Sequence, residues 1–464
     1  MAFNSTVFIF LFAPAVLLTN LLIPKNFSNI FILAASIFFY GWGEPRFLMV
    51  VLASAILDFG LGILIARYAR GSAAKAALTL GVLANIGLLV YCKYYGFFLD
   101  TLGKLVGDLG IPLPEILLPL GISFIVFEKI TYLVDIYRNA TPPARTIFDY
   151  LFFVFFFPKM LAGPIIKYNE ISTQIVSRTI TTDDLVAGVS RFILGLSKKV
   201  LIADSMAYVV ESVFAAPSAQ IGFADAWLAA LCFTVQIYFD FSGYSDMAIG
   251  LARMMGFRLP ENFNQPYLAV GFTDFWRRWH ISLSSWIRDY LYIPLGGNRG
   301  SASRVFINLW ICFLASGLWH GANWTFVVWG AYHGFFVWSD RAYLHRLWAI
   351  LPRPVGILVT FFLVVIGWVF FRAATIGQAA EIIRIMFDPS RPSSLRYLGP
   401  SSDVYLLLVI GMVASFVPLS YVSRVLSPAP AMTIARQISV LALAAWSFGH
   451  VFATSFTPFL YFRF

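Results

Sequence analysis

Charge is scarce in this chain. Of its 464 residues 12% are Asp, Glu, Lys or Arg, while 59% are hydrophobic and 17% aromatic; ordinary soluble domains carry roughly 25% charged residues. A soluble fold of this length has no interior large enough for so much apolar surface, so the composition specifies a polytopic membrane protein. Cysteine is nearly missing. Cys92, Cys232 and Cys312 lie far apart in apolar surroundings, with no C-x-x-C or other metal spacing, and read as packing residues. Histidine is almost as rare, limited to His280, His320, His333, His345 and His450. Proton-transfer chemistry therefore has few places to reside. No H-E-x-x-H pair, G-x-S-x-G elbow or Walker loop occurs, so neither a metal site nor those nucleophile or phosphate motifs is expected.

What the chain does have is length in its apolar runs. Candidate segments extend from 5–23 through 437–461, among them 116–137, 147–166, 185–211, 226–255, 303–319, 323–340 and 355–371. Several exceed the ~20 residues that cross a bilayer. The first run lacks a basic leader and a clear cleavage site, and reads as a membrane segment rather than a signal peptide. The formal net charge of +10 is assigned to cytoplasmic loops, with membrane lipids and not nucleic acid as the partner. Four loops carry base without acid: Arg67, Arg70 and Lys75; Arg138 and Arg145; Arg341, Arg346 and Arg353; Arg424 and Arg436. Placing all four in the cytoplasm requires an odd number of crossings between 167 and 341, where four apolar candidates lie. At least one of these is then broken or re-entrant, which is tolerated only where protein or a water-filled cavity satisfies the backbone.

That middle region also holds the polar residues. Asp240 and Asp246 interrupt the apolar stretch 235–257; a carboxylate at that depth marks either function or a buried pair, with Arg253 or Arg277 as its partner. In TDFWRRWHISLSSWIRDYLYIPLGGNRG (273–300), a helical period puts Trp276, Trp279, Leu283, Trp286 and Tyr290 on one face. Arg277, His280, Ser284 and Arg288 form a neighbouring polar stripe. Such a helix is too charged to span; it suits the interface, where arginines meet lipid phosphates, or a cavity wall, where they orient an anionic acyl donor. The GGNRG turn offers backbone N–H groups to phosphate. In SGLWHGANWTF (316–326), His320 ends an apolar helix, Gly321 permits a sharp turn, and Asn323 caps a helix starting at about Trp324. An imidazole with a pKa near ~6.5 at such a break suits a base taking a proton from a hydroxyl, or is simply a satisfied packing residue. His333, in WGAYHGFF, has no metal spacing to His320.

Together LPLGISF (118–124), FFPKMLAGPI (156–165), FDFSGYSDMAIGL (239–251), FWRRWHISLSSWIRDYLYIPLGGNR (275–299) and GLWHGANWTFVVWGAYHG (317–334) resemble the membrane-bound O-acyltransferase family, most closely its alginate O-acetylation branch. The resemblance extends from the start of the chain to about residue 380. It implies one membrane-embedded domain over 1–464 with its motif-bearing core at about 116–340. The implied fold is all-α: a ring of tilted helices around a central funnel or tunnel, with re-entrant or interfacial helices mid-chain. It further implies that His320 is required for acyl transfer and that His280 belongs to the same tunnel. Trp319, Asn323, Arg277, Ser284, Asp240, Asp246 and His333 are the remaining tunnel-lining candidates.

The resulting expectation is a multi-pass O-acyltransferase of the bacterial inner membrane. No cofactor is held tightly; an acyl thioester, acetyl-CoA or an acyl carrier protein, is the donor substrate. His320 acts as base toward a hydroxyl arriving from the opposite face, with His280, Arg277 or Asn323 donating to the oxyanion. The acyl group passes to an exported acetyltransferase partner that modifies an exopolysaccharide such as alginate. Two rivals stand beside this reading: D-alanyl transfer within the same family, and a non-catalytic lipid or glycan flippase.

Overall fold

The computed structural model describes residues 1–69, 71–107, 118–393, 403–417, 430–454 and 457–460. Arg70 and Arg424 lie outside the described residues. Helices, with short π and 3-10 turns, account for the regular structure, and no strand occurs among the described residues. Helices satisfy their backbone hydrogen bonds internally, as hydrocarbon demands. Pro45–Arg67, Ser72–Val106, Ala302–His320 and Arg353–Arg372 are long and apolar enough to cross a bilayer. The chain is an all-α polytopic membrane protein.

Two compact units are present: Met1–Phe192 with Met247–Pro260, and Ile193–Asp246 with Glu261–Phe464. In the first, Gly81 lets the helices Ser72–Leu89 and Ile122–Tyr137 touch, since a Cβ there would lie 2.4 Å from Leu133. Two ion pairs are buried beside this contact. Lys129 meets Asp58 at 3.0 Å, with Asn85 donating to the same carboxylate. Its neighbour Glu128 pairs with Lys159. The expected run 147–166 is not one helix. It breaks at Phe156 (φ −49°, ψ 102°) into Ile147–Phe155 and Phe157–Met160. Pro158 cannot donate a backbone hydrogen bond, and the Phe157 N–H turns aside to the Ser36 hydroxyl at 3.1 Å.

The second unit is built around aromatic rings and one close helix pair. Ala302–His320 and Trp324–Ser339 approach through glycine: a Cβ on Gly317 would meet the Phe326 carbonyl oxygen at 2.3 Å, and one on Gly330 the Phe313 oxygen at 2.4 Å. Any larger residue would push the backbones apart. Gly321 has φ −162° and ψ 149°, extended backbone open to every residue. Its glycine is needed for space, not for a turn, because a Cβ there would sit 2.1 Å from the Phe326 ring.

The continuous helix expected through 273–290 is interrupted at its centre. Phe272–Arg278 and Ile281–Ile287 are separate helices, and between them His280 adopts the left-handed conformation, φ 44° and ψ 55°. Backbone pairing imposes the break. The Ile281 N–H donates to Asn262 O at 2.9 Å, and the Asn264 N–H to Arg278 O at 2.9 Å. A distant loop thus takes up groups that a continuous helix would have used internally.

Candidate active site

Each of the two central imidazoles stands at a helix break, and the breaks bring them together. His320 is the last residue of its helix and His280 the N-cap of Ile281–Ile287. Their ring centres are 6.4 Å apart, and both imidazoles contact Trp319, at 5.8 Å from His280 and 5.0 Å from His320. Trp329 stands edge-on to His320 at 5.0 Å, and Phe371 closes another side at 5.3 Å. Phe241 lies edge-on to His280 at 4.6 Å. Both histidines are buried. Asn323 caps its helix as expected, accepting from the Thr325 N–H at 3.1 Å, while its amide donates to Ala374 O. Both ends of that side chain are therefore committed away from an oxyanion.

A cleft of about 510 Å³ lies beside the site, lined by Ile281 and Ser316 but by neither His280 nor His320. Leu309, Cys312, Phe313 and Ser316 line it along one stripe of the Ala302–His320 helix. The spacing of three and four residues makes His320 the next position on that stripe. Ser316 is 2% exposed, and its hydroxyl has no hydrogen-bond partner among the described residues. Arg277, Ser284, Arg288 and Arg341 line the outer part. Arg288 is paired with Asp289, and Arg341 donates to Tyr292 and Asn298, leaving Arg277 exposed on the wall. Three of the five N–H groups of the GGNRG turn are already committed to carbonyls. Those of Gly296, Gly297 and Arg299 donate to Ile293, Tyr292 and Gly296 carbonyls.

His333 belongs to the same aromatic cluster but not to the histidine pair. The Trp276 indole N–H donates to its Nδ1 at 3.2 Å, and Trp329 lies 4.7 Å away. Asp240 and Asp246 hold lysines rather than the anticipated arginines. Lys199 bridges Asp240 at 2.7 Å and Asp204 at 2.6 Å, and Lys198 meets Asp246 at 2.6 Å. Asp240 also accepts from the Leu460 N–H at 2.7 Å. Neither aspartate is among the residues lining the cleft. Among the described residues no group of His, Cys, Asp and Glu is arranged to hold a metal ion.

One residue next to His280 carries no signal in the sequence. Asn262 is 1% exposed, and its carboxamide oxygen lies 3.1 Å from His280 Nδ1 while accepting from the Ser282 N–H at 3.2 Å and the Ser282 hydroxyl at 2.9 Å. Its amide donates to the Ser245 hydroxyl at 3.2 Å. Burial pulls the His280 imidazole down to about 3, which keeps it neutral at physiological pH.

Comparison with known proteins identifies the family of the chain. Residues 143–376 match the membrane-bound O-acyltransferase family, half of the chain and all of the site described above. The probable alginate O-acetylase AlgI of Azotobacter vinelandii is 40% identical over 501 aligned positions, covering 100% of both chains. The protein of the same name from Pseudomonas aeruginosa is 45% identical over 84% of this chain and 75% of its own. The peptidoglycan O-acetyltransferase of Helicobacter pylori is 33% identical over 100% of this chain and 97% of its own. More distantly, a teichoic acid D-alanyltransferase of Bacillus subtilis is 27% identical over 54% of this chain. A family match over half of the chain, with relatives at 40% and 33% identity aligned from end to end, places the chain in the membrane-bound O-acyltransferase family, as an acyltransferase.

Proposed function

We propose that the chain moves an acetyl group across the bacterial inner membrane, from a cytoplasmic thioester to the O-acetylation of an exported polysaccharide such as alginate. The observation that carries this reading is the cleft lined along one helix stripe by Leu309, Cys312, Phe313 and Ser316, one turn short of His320, with Arg277 on its exposed wall. An anionic thioester, acetyl-CoA or the phosphopantetheine of an acyl carrier protein, matches that distribution: charge outside, acyl group inward. The donor is a substrate and leaves after each turnover.

The chemistry is a transesterification. His320 takes the proton from the acceptor hydroxyl as its oxygen attacks the thioester carbonyl. The tetrahedral intermediate collapses with rupture of the C–S bond, and the imidazolium returns the proton to the departing thiolate. The products are an ester and a free thiol. The buried aromatic wall formed by Trp319, Trp329 and Phe371 disfavours competing hydrolysis. The acceptor is an exported acetyltransferase that completes transfer to the polysaccharide. The names of the alginate O-acetylase relatives support acetyl over D-alanyl.

Acetyl ester content of the exported polysaccharide in cells carrying His320→Ala, with membrane abundance measured alongside, tests the reading. Loss of ester at normal abundance is expected. Ester retained at the wild-type level would overturn base catalysis by His320 and favour a flippase.

A further inference from the structure

We propose that Asn262 is a positioning residue that fixes the proton of His280 on Nδ1, so that His280 presents a lone pair at Nε2 to the reaction centre. This inference rests on the reading of His280 and His320 as one acyl-transfer site.

An amide side chain can be turned end for end, and its orientation follows from its hydrogen bonds. Here a backbone donor decides it. The Ser282 N–H can only donate, and it points at the same Asn262 atom that faces His280, so that atom is the carbonyl oxygen. The opposite end, carrying the NH₂ group, is directed to the Ser245 hydroxyl. A carbonyl oxygen cannot donate, so the 3.1 Å contact with His280 requires the proton on Nδ1. In a neutral imidazole the second nitrogen is then an acceptor.

This assigns His280 a chemical sense. While neutral it cannot donate to an oxyanion; it accepts a hydrogen bond, either from the incoming hydroxyl or from its neighbour across the site. The backbone reinforces the arrangement. His280 is held in the left-handed region, which is costly for a residue with a Cβ. The Ile281 N–H to Asn262 O bond helps to keep it there. One asparagine thereby sets both the ring's place and its tautomer, through its main chain and its side chain respectively.

The test uses the full chain, labelled with ¹⁵N at histidine and reconstituted in nanodiscs. Only five histidines contribute, and His280→Gln identifies the His280 signals. The expected spectrum shows a protonated Nδ1 and an unprotonated Nε2. Asn262→Leu should move protonation toward Nε2 and lower polysaccharide ester content by about 10- to 100-fold, by analogy with loss of a group that orients a metal-bound histidine. Asn262→Asp keeps an acceptor oxygen, and the Ser245 hydroxyl can turn to donate to it. It should retain Nδ1–H and recover most of the ester. In a His280→Gln background, Asn262→Leu should cause no further loss.

A proton on Nε2 in the unsubstituted chain would overturn the inference, and that measurement survives any failure of the leucine variant to fold. Full additivity of Asn262→Leu and His280→Gln would overturn it as well. The broader reading fails separately, through retained acetylation in His320→Ala, whatever the tautomer of His280.

Discussion

His280 and His320 lie with ring centres 6.4 Å apart and ring planes tilted by 56°, one at the start of a helix and the other at the end of another. At that spacing a small reacting group is within reach of both rings. The pair should behave as a unit. Single replacements by alanine are expected to lower acetyl transfer by about 10²- to 10⁴-fold, the range for loss of a general base. The double replacement should be little worse than the poorer single one. Multiplying losses, read from initial rates of ester formation, would show that the two imidazoles act separately.

The cleft wall predicts a different kinetic signature. Arg277 is exposed there and takes no part in the bond-making step of the proposed mechanism. Arg277→Gln should raise KM for the thioester about 5- to 20-fold, equivalent to roughly 1–2 kcal/mol for one charge-assisted contact, with kcat nearly unchanged. Raising salt should narrow the difference between the two proteins. An equal fall in kcat would place the guanidinium in the chemical step instead.

Buried charge predicts stability in the first unit. Lys129 and Asp58 are both about 1% exposed. Lys129→Met leaves an uncompensated carboxylate and is expected to cost about 3–5 kcal/mol. Adding Asp58→Leu should restore much of that loss, because the paired charges each forfeit hydration. Thermal unfolding in detergent separates these outcomes; a double variant less stable than Lys129→Met would contradict the account.

Acid should destabilise the second unit through His280. Its imidazole is held near 3 in the folded chain against ~6.5 unfolded. The unfolded state therefore binds a proton that the folded state refuses as pH falls through about 6.5 toward 3. The linked loss is about 2 kcal/mol between pH 7 and pH 5. Unfolding followed over that range should show a shallower pH dependence in His280→Gln than in the wild-type chain.

The parts of the fold visible in the sequence are those written in local pattern. Asn323 announces a helix start by its chemistry, and the helix does start at Trp324. The apolar runs 303–319 and 355–371 emerge as Ala302–His320 and Arg353–Arg372. The break at His280 is invisible because Trp276, Trp279, Leu283 and Trp286 keep a helical period straight through it. The cause lies in the loop around Asn262, 18 residues away, and backbone pairing with a loop leaves no periodic trace. The lysine partners of Asp240 and Asp246 were similarly hidden. Lys198 and Lys199 lie more than 40 residues upstream in an otherwise apolar run, while Arg253 and Arg277 lie nearer in sequence. Gly321 was legible as special, though the reason is the Phe326 ring and not the turn.

The left-handed backbone of His280 also decides which inactive enzyme is worth making. Asparagine enters that conformation more readily than other residues with a side chain, whereas alanine or leucine would add strain to the lost chemistry. His280→Asn should therefore yield a silent but intact receptor. Such a chain would hold the thioester donor and exported acceptor of the proposed reaction without turning them over, making it the natural bait for testing both.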